Sequence, residues 1–356
     1  MKKIINIKIK NKKYKTIIEN GCINRFLESE IKDNHKKFIF IDKKISALLN
    51  KKILNKKNVL LIKINSSEKI KSIKYYNKTI TFLLKNKIDR NSTILVIGGG
   101  ALGDLCGFIA STVLRGVRFI QIPSTLLAQV DSSIGGKNGV NTKNGKNLIG
   151  TFYQPNIVII DPTILSSLPK REIRSGYAEI VKYALINDKI FYNWLKNNLN
   201  KLLSLEKKTL FYAIYKSVKI KAKYVSLDEK EILNSSNSRA MLNFGHTFGH
   251  ALEALNKFHS NLKHGEAISI GMTLASKISY NLGYLRKYEL EEITNHFKNA
   301  GLPCSTDKIK NDNFYKFITK DKKNTDNKTN LILLKKIGKA YYEKKLNIPK
   351  IKKLIN

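Results

Sequence analysis

The chain is 356 residues long and 42% hydrophobic, and its 66 lysines and arginines outnumber 27 acidic residues to give a net charge of +39. It is long enough for two domains, and no run of about 18 apolar residues that could cross a membrane occurs. Only eight of the basic residues are arginine, and the lysines are spread along the whole chain, whereas a nucleic-acid-binding surface concentrates its charge among aromatic residues. The composition therefore disfavours nucleic-acid and membrane partners and suits an anionic small molecule.

Residues 1–17 alternate lysine with isoleucine and contain no continuous apolar stretch. This pattern is typical of an edge strand, and no signal peptide is expected. The three cysteines, Cys22, Cys106 and Cys304, are scattered and odd in number, so we expect neither a disulfide framework nor a cysteine-based metal site. A reducing cytoplasm fits these features.

Strands alternate with helical segments over residues 1–160. The strands are predicted from short runs rich in β-branched residues: Phe38–Ile41, Val59–Ile64, Thr93–Ile97, Phe119–Ile122 and Ile157–Ile160. The stretch Lys69–Asn86 has a helical pattern and separates the second run from the third. This alternation predicts a mainly parallel sheet covered by helices, an α/β domain.

The character of the chain changes after Asp161-Pro162, where long amphipathic segments begin. They are Gly176–Ile186, Ile190–Leu203, Lys207–Val225, Met241–Leu255 and Glu266–Leu282. Only Leu331–Leu334 resembles a further strand. We predict an all-helical domain over residues 161–356, with lysine- and asparagine-rich stretches such as Asn311–Asn330 as solvated loops.

A glycine-rich turn directly follows the predicted strand Thr93–Ile97, in the sequence Gly98-Gly99-Gly100-Ala101-Leu102-Gly103-Asp104. Glycine lets a ligand approach the backbone, and a helix N-terminus offers N–H groups to phosphate, so the turn is a candidate dinucleotide site. Tight packing explains the glycines alone equally well. The spacing is not G-x-G-x-x-G and lacks the P-loop Gly-Lys-Ser/Thr, so an ATPase is not expected.

The stretch Ile122–Gly150 combines further glycines with polar and charged side chains. Asp131, Lys137, Lys146 and Asn147 lie among small, flexible residues. Such a loop suits an anionic or hydroxyl-rich ligand. A solvated basic loop is the alternative interpretation.

Three of the six histidines lie in two short motifs, LNFGHTFGHALE at 242–253 and HGE at 264–266. On a helix His246 and His250 share one face, and imidazole is the commonest ligand for zinc-like metals. The cluster is a candidate metal or catalytic centre, although a single helical histidine is more often an ordinary core or surface residue. Thr247 stands where an H-E-x-x-H metalloprotease has its glutamate, which excludes that class. A catalytic zinc site needs a further protein ligand from elsewhere in the chain.

Several motifs in this order resemble the 3-dehydroquinate synthase family of the shikimate pathway, which leads to chorismate and the aromatic amino acids. The motifs are GGGALGDLCGFIASTVLRG, IPSTLLAQVDSSIGG, GKNLIGTFYQP, GYAEIVKYALI, LNFGHTFGHALE and HGE. The resemblance extends from about Ser66 to the final helices. It implies a Rossmann-like NAD-binding domain over residues 1–160 and a helical metal- and substrate-binding domain over residues 161–356, with the active site in the cleft between them.

The resemblance implies NAD and one divalent metal ion, zinc or cobalt, held by Glu179, His246 and His264. The implied reaction converts 3-deoxy-D-arabino-heptulosonate 7-phosphate into 3-dehydroquinate and phosphate. It proceeds by transient oxidation of the C5 hydroxyl, elimination of phosphate, re-reduction and intramolecular aldol closure, with no net redox change.

The resemblance also assigns substrate contacts. Residues near the substrate hydroxyls and the metal-side oxygens are Asp131, Lys137 and Lys182. The substrate carboxylate is assigned to Lys221, Asn243 and Arg239, whose planar guanidinium suits a bidentate clamp. The phosphate is assigned to Asn147, His250 and one of Lys322 or Lys323. Arg115 reaches the phosphate of a neighbouring subunit in the family, which implies a homodimer.

The implied cofactor contacts run through the first domain and slightly past it. They are Asp42, Ser66, Ser67, Glu68, Lys69, Ile70, Lys71, Gly100, Ala101, Leu102, Gly103, Asp104, Ser124, Thr125, Lys137, Lys146, Ile164, Leu165, Ser166 and Ser167. The chain departs from the family pattern at Ser67, Ala101, Ser124 and Asn138, and the segment Asp228–Ser238 before Arg239 is several residues longer than usual.

Three alternatives stay open. The first is another sugar-phosphate cyclase, although Lys221, Arg239 and Asn243 favour a substrate with a carboxylate. The second is a metal-dependent polyol dehydrogenase, which would release NADH and need no phosphate site. The third is a basic RNA-binding protein, which salt-sensitive RNA binding would reveal.

Overall fold

The computed structural model describes residues 1–10, 12–50, 53, 56–143, 145–233, 235–256, 261–319 and 328–355. The chain divides into two compact units, Met1–Leu168 (unit 1) and Pro169–Asn356 (unit 2). Among the described helices, none combines the length and the apolar character that a membrane crossing requires.

Unit 1 is built on a seven-stranded sheet. Its strands, numbered along the chain together with the β7–β8 hairpin described below, are β1 Lys2–Ile9, β2 Lys12–Glu19, β3 Lys37–Asp42, β4 Val59–Ile64, β5 Thr93–Gly98, β6 Arg118–Pro123 and β9 Ile157–Ile160. The order is β1-β2-β9-β6-β5-β3-β4, and every pair is parallel except β1 with β2. The predicted parallel sheet is confirmed. The N-terminal segment, predicted as one edge strand, forms the hairpin β1–β2, of which only β1 lies at the edge.

Strand β3 shows why the apolar runs read as strands. Phe38, Ile39, Phe40 and Ile41 are each at most 2% exposed, although successive side chains of a strand point to opposite faces. Both faces of the sheet are therefore covered, which is the setting in which a parallel strand is continuously apolar. Burial of each of these side chains contributes roughly 2 kcal/mol.

The helices of unit 1 cover this sheet. They are α1 Ile23–Glu30, α2 Ile73–Lys85 and α3 Gly100–Thr112, with 3₁₀ turns at Lys43–Leu48, Glu68–Ile70, Val113–Arg115 and Pro162–Ser167 and a π-helical turn at Ala128–Ser132. The predicted helix Lys69–Asn86 thus begins later, after a 3₁₀ turn, because Ser72 caps α2 by accepting from Tyr75 N at 3.3 Å.

A buried aspartate ties the end of unit 1 to its beginning. The Asp161 carboxylate accepts backbone hydrogen bonds from Gly21 at 2.9 Å, Cys22 at 2.8 Å and Thr163 at 3.0 Å. It thereby caps α1 and the turn Pro162–Ser167 together. This turn consequently belongs to the compact unit that carries the sheet, so the units divide after Leu168 and not at Asp161.

A β-hairpin occupies much of the stretch that the sequence indicated as a flexible loop, Ile122–Gly150. Its strands are β7 Lys137–Thr142 and β8 Gly145–Phe152. Asn138 holds the hairpin by donating from Nδ2 to the carbonyls of Gly136 and Tyr153, each at 2.8 Å. The loop interpretation was wrong because these long-range contacts, which periodicity does not register, give the polar strands their partners.

Unit 2 is mainly helical. Its helices are α4 Lys170–Asn187, α5 Lys189–Asn197, α6 Leu199–Leu203, α7 Lys207–Leu227, α8 His246–Leu255, α9 His264–Asn281, α10 Lys287–Asn299, α11 Asp312–Thr319 and α12 Ile348–Ile355, with 3₁₀ turns at Arg239–Asn243 and Asp307–Lys310. The predicted helical character is confirmed. The segments Ile190–Leu203 and Met241–Leu255 are each interrupted, the second by Gly245 in the left-handed region at φ 78°.

Two details of the sequence prediction for unit 2 are corrected. The unit includes an antiparallel hairpin, β10 Lys328–Lys336 and β11 Lys339–Asn347, of which the sequence indicated only Leu331–Leu334. Within the predicted loop Asn311–Asn330, residues 312–319 form α11, whose Phe314 is fully buried. Both elements are stabilised by apolar side chains that the surrounding lysines obscure in the sequence.

Candidate active site

The predicted cofactor residues of unit 1 lie along one edge of its sheet. Asp42 ends β3, Ser66 and Ser67 follow β4, and Ser124 follows β6. The glycine turn follows β5 in the same way. Because parallel strands end at a common edge, residues that are far apart in sequence are brought to one side, which is where ligands bind in open α/β sheets.

The glycine turn is tightly packed and leads into a helix N-terminus. Helix α3 begins at Gly100, whose added Cβ would lie 2.9 Å from Ser132 Oγ, and a Cβ on Gly98 would lie 2.8 Å from Leu102 Cδ2. The first-turn N–H groups of a helix have no intrahelical acceptor and carry a partial positive charge. The turn therefore suits an anionic group such as a pyrophosphate.

Lys71 connects several of the predicted ligand contacts. Its side chain is 4% exposed, and Nζ lies 2.7 Å from Asp104 Oδ2 and 2.6 Å from Asn147 Oδ1. Asn141, which the sequence did not single out, donates to Glu68 Oε1 at 2.7 Å and accepts from Asn147 N at 3.1 Å. Predicted cofactor and phosphate contacts thus share one hydrogen-bonded group within unit 1.

Several predicted cofactor contacts have buried side chains. Ile70, Leu102, Ile164 and Leu165 are at most 5% exposed, so only their backbone atoms are available to a ligand. Exposed Ser166 and Ser167 line an open cavity together with six residues absent from the prediction, Gly21, Ile23, Asn24, Leu48, Asp161 and Thr163. Proximity to Asp161, which brings these segments together, is a tertiary effect that the sequence does not reveal.

Two of the remaining predicted residues of unit 1, Asp131 and Arg115, occupy unusual backbone. Asp131 lies on the π-helical turn Ala128–Ser132, a rare element that is frequent at functional sites. Exposed Arg115 has φ 65° and follows Leu114 at φ 50°, two left-handed residues in succession. Thr125 Oγ1 accepts from Ala128 N at 3.1 Å. The other predicted contacts on the same unit are Lys69, Ala101, Gly103, Lys137 and Lys146.

Three helices of unit 2 bring the predicted metal ligands together. Glu179 lies within α4, and His246 and His264 are the first residues of α8 and α9. Glu179 Oε1 is 3.5 Å from His246 Nε2 and 3.4 Å from His264 Nε2, and the potential ligand atoms all lie within 4.8 Å of one another. Two imidazoles and a carboxylate form a donor set typical of catalytic zinc sites.

Glycines determine the spacing of the two histidine helices. A Cβ on Gly271 of α9 would lie 2.1 Å from Gly245 O, just before α8, and one on Gly265 would lie 2.0 Å from Ser175 O of α4. Only glycine permits these approaches. The motif glycines next to His246 and His264 therefore hold the three helices close enough for their side chains to share one site.

Outer contacts orient each histidine. His246 Nδ1 lies 3.2 Å from the acceptor Phe244 O, which directs Nε2 toward Glu179. His264 Nδ1 lies 3.5 Å from Glu253 Oε1. Burial by itself would lower the pKa of His264, but the carboxylates of Glu253 and Glu179 outweigh it and raise that pKa to about 10. Metal binding to His264 would require the neutral imidazole.

The chemistry of Glu179 fits a metal. Its carboxylate is fully buried and, among the described residues, neither oxygen has a hydrogen bond of regular geometry. Its charged neighbour on α4 is Lys182, with which it forms an ion pair. This carboxylate and the two imidazoles, whose potential ligand atoms all lie within 4.8 Å of one another, are ligand types that zinc-like ions bind, so the geometry of the cluster is suited to a divalent ion.

The predicted carboxylate-binding residues lie on neighbouring segments of the same unit. Lys221 on α7 is 5% exposed and Arg239 is 3% exposed. The longer segment before Arg239 folds back on Asp228, which accepts from Arg239 N at 3.2 Å, and Arg239 Nη1 donates to Glu229 O at 2.5 Å. The extra length is therefore absorbed without exposing the arginine.

Asn243 and His250 complete the candidate site of unit 2. The Asn243 amide donates to Glu231. The sequence prediction missed Glu231, although the acidic residues of Asp228–Glu231, shortly before Arg239, could have indicated a partner for the predicted site. His250 is exposed, and its ring centroid lies 5.2 Å from that of His246. Lys322 and Lys323 lie outside the described residues.

The fold and the two sets of residues together define a class. A glycine turn at the carboxyl edge of a parallel sheet, combined with a histidine–carboxylate cluster on helices, is typical of a metal-dependent enzyme that uses a dinucleotide. Among solved structures of this architecture, 2-epi-5-epi-valiolone synthase from Streptomyces hygroscopicus subsp. jinggangensis, with NAD⁺ and Zn²⁺ bound, matches with a TM-score of 0.88. It is 24% identical and covers 98% of this chain and 97% of its own, which shows the fold.

Sequence comparison identifies the family. A model of the 3-dehydroquinate synthase N-terminal region matches residues 61–175, and one of the C-terminal region matches residues 176–324. The 3-dehydroquinate synthase of Pelagibacter ubique is 44% identical over 353 residues, 96% of this chain and 95% of the relative. That of Buchnera aphidicola subsp. Cinara cedri is 43% identical over 347 residues, 94% and 92% of the two chains. The chain belongs to the 3-dehydroquinate synthase family, whose members are NAD- and metal-dependent lyases.

Proposed function

We propose that this chain converts 3-deoxy-D-arabino-heptulosonate 7-phosphate into 3-dehydroquinate and phosphate. The observation that carries the proposal is the combination, within unit 2, of the Glu179–His246–His264 cluster with the buried cations Lys221 and Arg239. A substrate with hydroxyls for a metal and a carboxylate for buried cations satisfies both features. A simple polyol carries no carboxylate for these cations to bind.

The residues present fit both cofactors. Glu179, His246 and His264 would hold the metal ion, and the glycine turn with Asp42, Glu68 and Asp104 would hold NAD. When bound, NAD supplies reversible hydride transfer at a substrate hydroxyl carbon and the metal ion supplies polarisation of the substrate oxygens. The chain's own residues must then bind, orient and exchange protons with the substrate.

We assign orientation of the substrate to the carboxylate-binding set. Arg239 offers a planar guanidinium that matches a carboxylate bidentately, and Lys221 adds a second buried charge. Asn243 ends the turn that begins at Arg239, and we assign its amide to the same carboxylate. Lys182, paired with Glu179, is placed to contact substrate oxygens beside the metal position.

Proton handling and phosphate binding are assigned to a second group. His250 is exposed and adjacent to His246, and an imidazole can both donate and accept a proton, so we assign proton exchange with the substrate to it. Asn147, Lys146 and Lys137 on the β7–β8 hairpin offer donors for phosphate and hydroxyl oxygens. Asp131 offers a carboxylate acceptor for a substrate hydroxyl.

We further propose which unit binds which ligand, a homodimeric assembly and a cytoplasmic location. Unit 1 binds NAD, and unit 2 binds the metal ion and the substrate carboxylate. The enzyme acts as a homodimer in which exposed Arg115 reaches the substrate phosphate of the neighbouring subunit. Its thiols, Cys22, Cys106 and Cys304, are all unbridged, as suits a reducing cytoplasm.

The decisive experiment incubates the purified chain with the heptulosonate phosphate, catalytic NAD⁺ and Zn²⁺ or Co²⁺. We expect stoichiometric release of phosphate and formation of 3-dehydroquinate, with no net NADH. Net NADH from glycerol-like substrates, without phosphate release, would instead indicate a polyol dehydrogenase. Light scattering coupled to gel filtration tests the dimer.

A further inference from the structure

Asn141 makes hydrogen bonds in three directions within unit 1. Its backbone N donates to Lys71 O at 2.8 Å, and its Nδ2 donates to Glu68 Oε1 at 2.7 Å. Its Oδ1 accepts from the backbone N of Asn147 at 3.1 Å. One side chain on β7 therefore links the segment after β4 to the first residues of β8.

Lys71 provides a second link between the same two regions. Lys71 is 4% exposed, and its ammonium group lies 2.7 Å from Asp104 and 2.6 Å from the side-chain carbonyl of Asn147. A buried ammonium needs acceptors for its N–H groups, because a buried donor without an acceptor costs free energy. Movement of Asn147 is thus resisted by both Lys71 and Asn141.

Asn147 itself has a backbone that needs support. Its φ is 54°, in the left-handed region that non-glycine residues seldom adopt. Its side chain is exposed at the start of β8, next to Lys146. The contacts from Asn141 and Lys71 supply the tertiary restraint that keeps such a conformation populated.

We propose that Asn141 is a positioning residue that couples occupancy of the dinucleotide site to binding at the phosphate site. The inference rests on the proposed function, because Glu68, Lys71 and Asp104 are cofactor contacts there and Asn147 is a phosphate contact. NAD bound against Glu68 and Lys71 immobilises them, and Asn141 transmits that order to Asn147. The entropic cost of ordering Asn147 is then already met when phosphate binds, so phosphate binds more tightly to the NAD-bound enzyme. By thermodynamic linkage, NAD also binds more tightly to the phosphate-bound enzyme.

The test measures the NADH dissociation constant by fluorescence titration of the full-length enzyme, with and without saturating inorganic phosphate. Ionic strength is matched with NaCl because the chain is strongly basic. In the wild type we expect phosphate to tighten NADH binding about fivefold, the lower end of measured coupling. In Asn141→Ala we expect that ratio to fall below about twofold, with phosphate-free affinity changed by less than about threefold.

Controls separate positioning from general damage. Asn77→Ala removes an exposed asparagine from α2 and should leave the ratio at the wild-type value. A merely structural defect would weaken NADH binding equally with and without phosphate. If Asn141→Ala does not fold, Asn141→Asp replaces it. This variant keeps the size and an acceptor for Asn147 N but places like charge beside Glu68. Phosphate should then no longer tighten NADH binding.

Two results would overturn the inference: no coupling in the wild type, or undiminished coupling in folded Asn141 variants. Turnover of the heptulosonate phosphate is measured on the same preparations. A wild type that makes 3-dehydroquinate without coupling refutes only the role of Asn141. A wild type that makes none refutes the proposed function, whatever the ratio.

Discussion

The two units build their candidate sites in different ways. In unit 1 the residues follow the ends of parallel strands, many of the side chains are exposed, and several contribute only backbone. In unit 2 the ligands are side chains that project from three helices, and Glu179 is fully buried. A strand-end site arises from sheet topology, whereas a helix-borne site depends on close packing, so single substitutions should damage the second more severely.

The largest expected effect comes from His264→Ala. It removes one of three metal ligands, so we expect loss of bound metal and a fall in kcat of roughly 10³-fold or more. Metal content by mass spectrometry and a circular dichroism spectrum check that metal and not fold is lost. His250→Ala is the matched control, since it should keep full metal stoichiometry; metal loss there would contradict the division of roles between these histidines.

Paired glycine substitutions compare the packing of the two sites directly. Gly271→Ala sets a Cβ 2.1 Å from the backbone oxygen of Gly245, which cannot move aside, so we expect a loss of about 3 kcal/mol in the free energy of unfolding. Gly100→Ala meets only the rotatable Ser132 hydroxyl at 2.9 Å, and should cost less than about 1 kcal/mol while weakening NAD binding about tenfold. Urea unfolding measures the stability of both variants, and NADH titration measures their cofactor affinity. Equal losses of stability in the two variants would contradict the expected difference between the two sites.

Arg239→Ala tests whether the buried cations of unit 2 serve substrate and not cofactor. Loss of a charged, bidentate contact is worth about 1.5–3 kcal/mol, so KM for the heptulosonate phosphate should rise about 10- to 100-fold. The NAD dissociation constant should change less than about twofold. Arg90→Ala, an exposed arginine of unit 1, should alter neither constant, and parallel losses for both ligands in Arg239→Ala would refute the clamp.

The smallest effect concerns acid stability, which we expect to originate in unit 2. His296 is buried, its Nε2 lies 2.7 Å from the Tyr177 hydroxyl, and burial, aided by Lys196, lowers its pKa to about 4. Between about pH 6.5 and 4 the unfolded chain binds a proton here that the folded chain does not, so stability falls as the pH falls through this range. The contribution is at most about 3 kcal/mol.

Urea unfolding of the metal-loaded enzyme at pH 7, 6 and 5 measures this effect. His296→Leu should reduce the pH dependence over this range, although it also costs stability at pH 7 by leaving the Tyr177 hydroxyl without this partner. His35→Gln, at an exposed histidine of unit 1, should leave the wild-type slope. An unchanged slope in His296→Leu would place the acid sensitivity elsewhere.

Local patterns determined the elements with strong apolar character. The five strand runs of unit 1 appear within about two residues of their predicted ends, because strands buried on both faces must be apolar throughout. The three metal-ligand candidates were reachable from the sequence, since histidine is scarce and the motifs resemble a known family. The predicted parallel sheet followed from alternation of strand and helix.

Elements without an apolar signature escaped prediction. Strands β7 and β8 are rich in polar residues and glycine, and their stability depends on pairing with each other and on Asn138. The helix α11 was hidden because three buried side chains, Phe314, Tyr315 and Ile318, stand among lysines and asparagines. Pairing and burial involve distant partners, so a local window cannot register them.

The sequence by itself determined the kind of chemistry: which side chains could bind a metal ion, where a backbone could approach phosphate, and that the sheet is parallel. Only the tertiary structure decided which residues meet. It joined Glu179 to histidines 67 and 85 residues further along the chain, set Glu253 behind His264, and placed Asn141 between Glu68 and Asn147. Hydrogen bonds and helix contacts act over a few ångströms in space, whatever the separation along the chain. Composition and spacing therefore indicated the histidines, and resemblance indicated Glu179, but neither showed which residues meet.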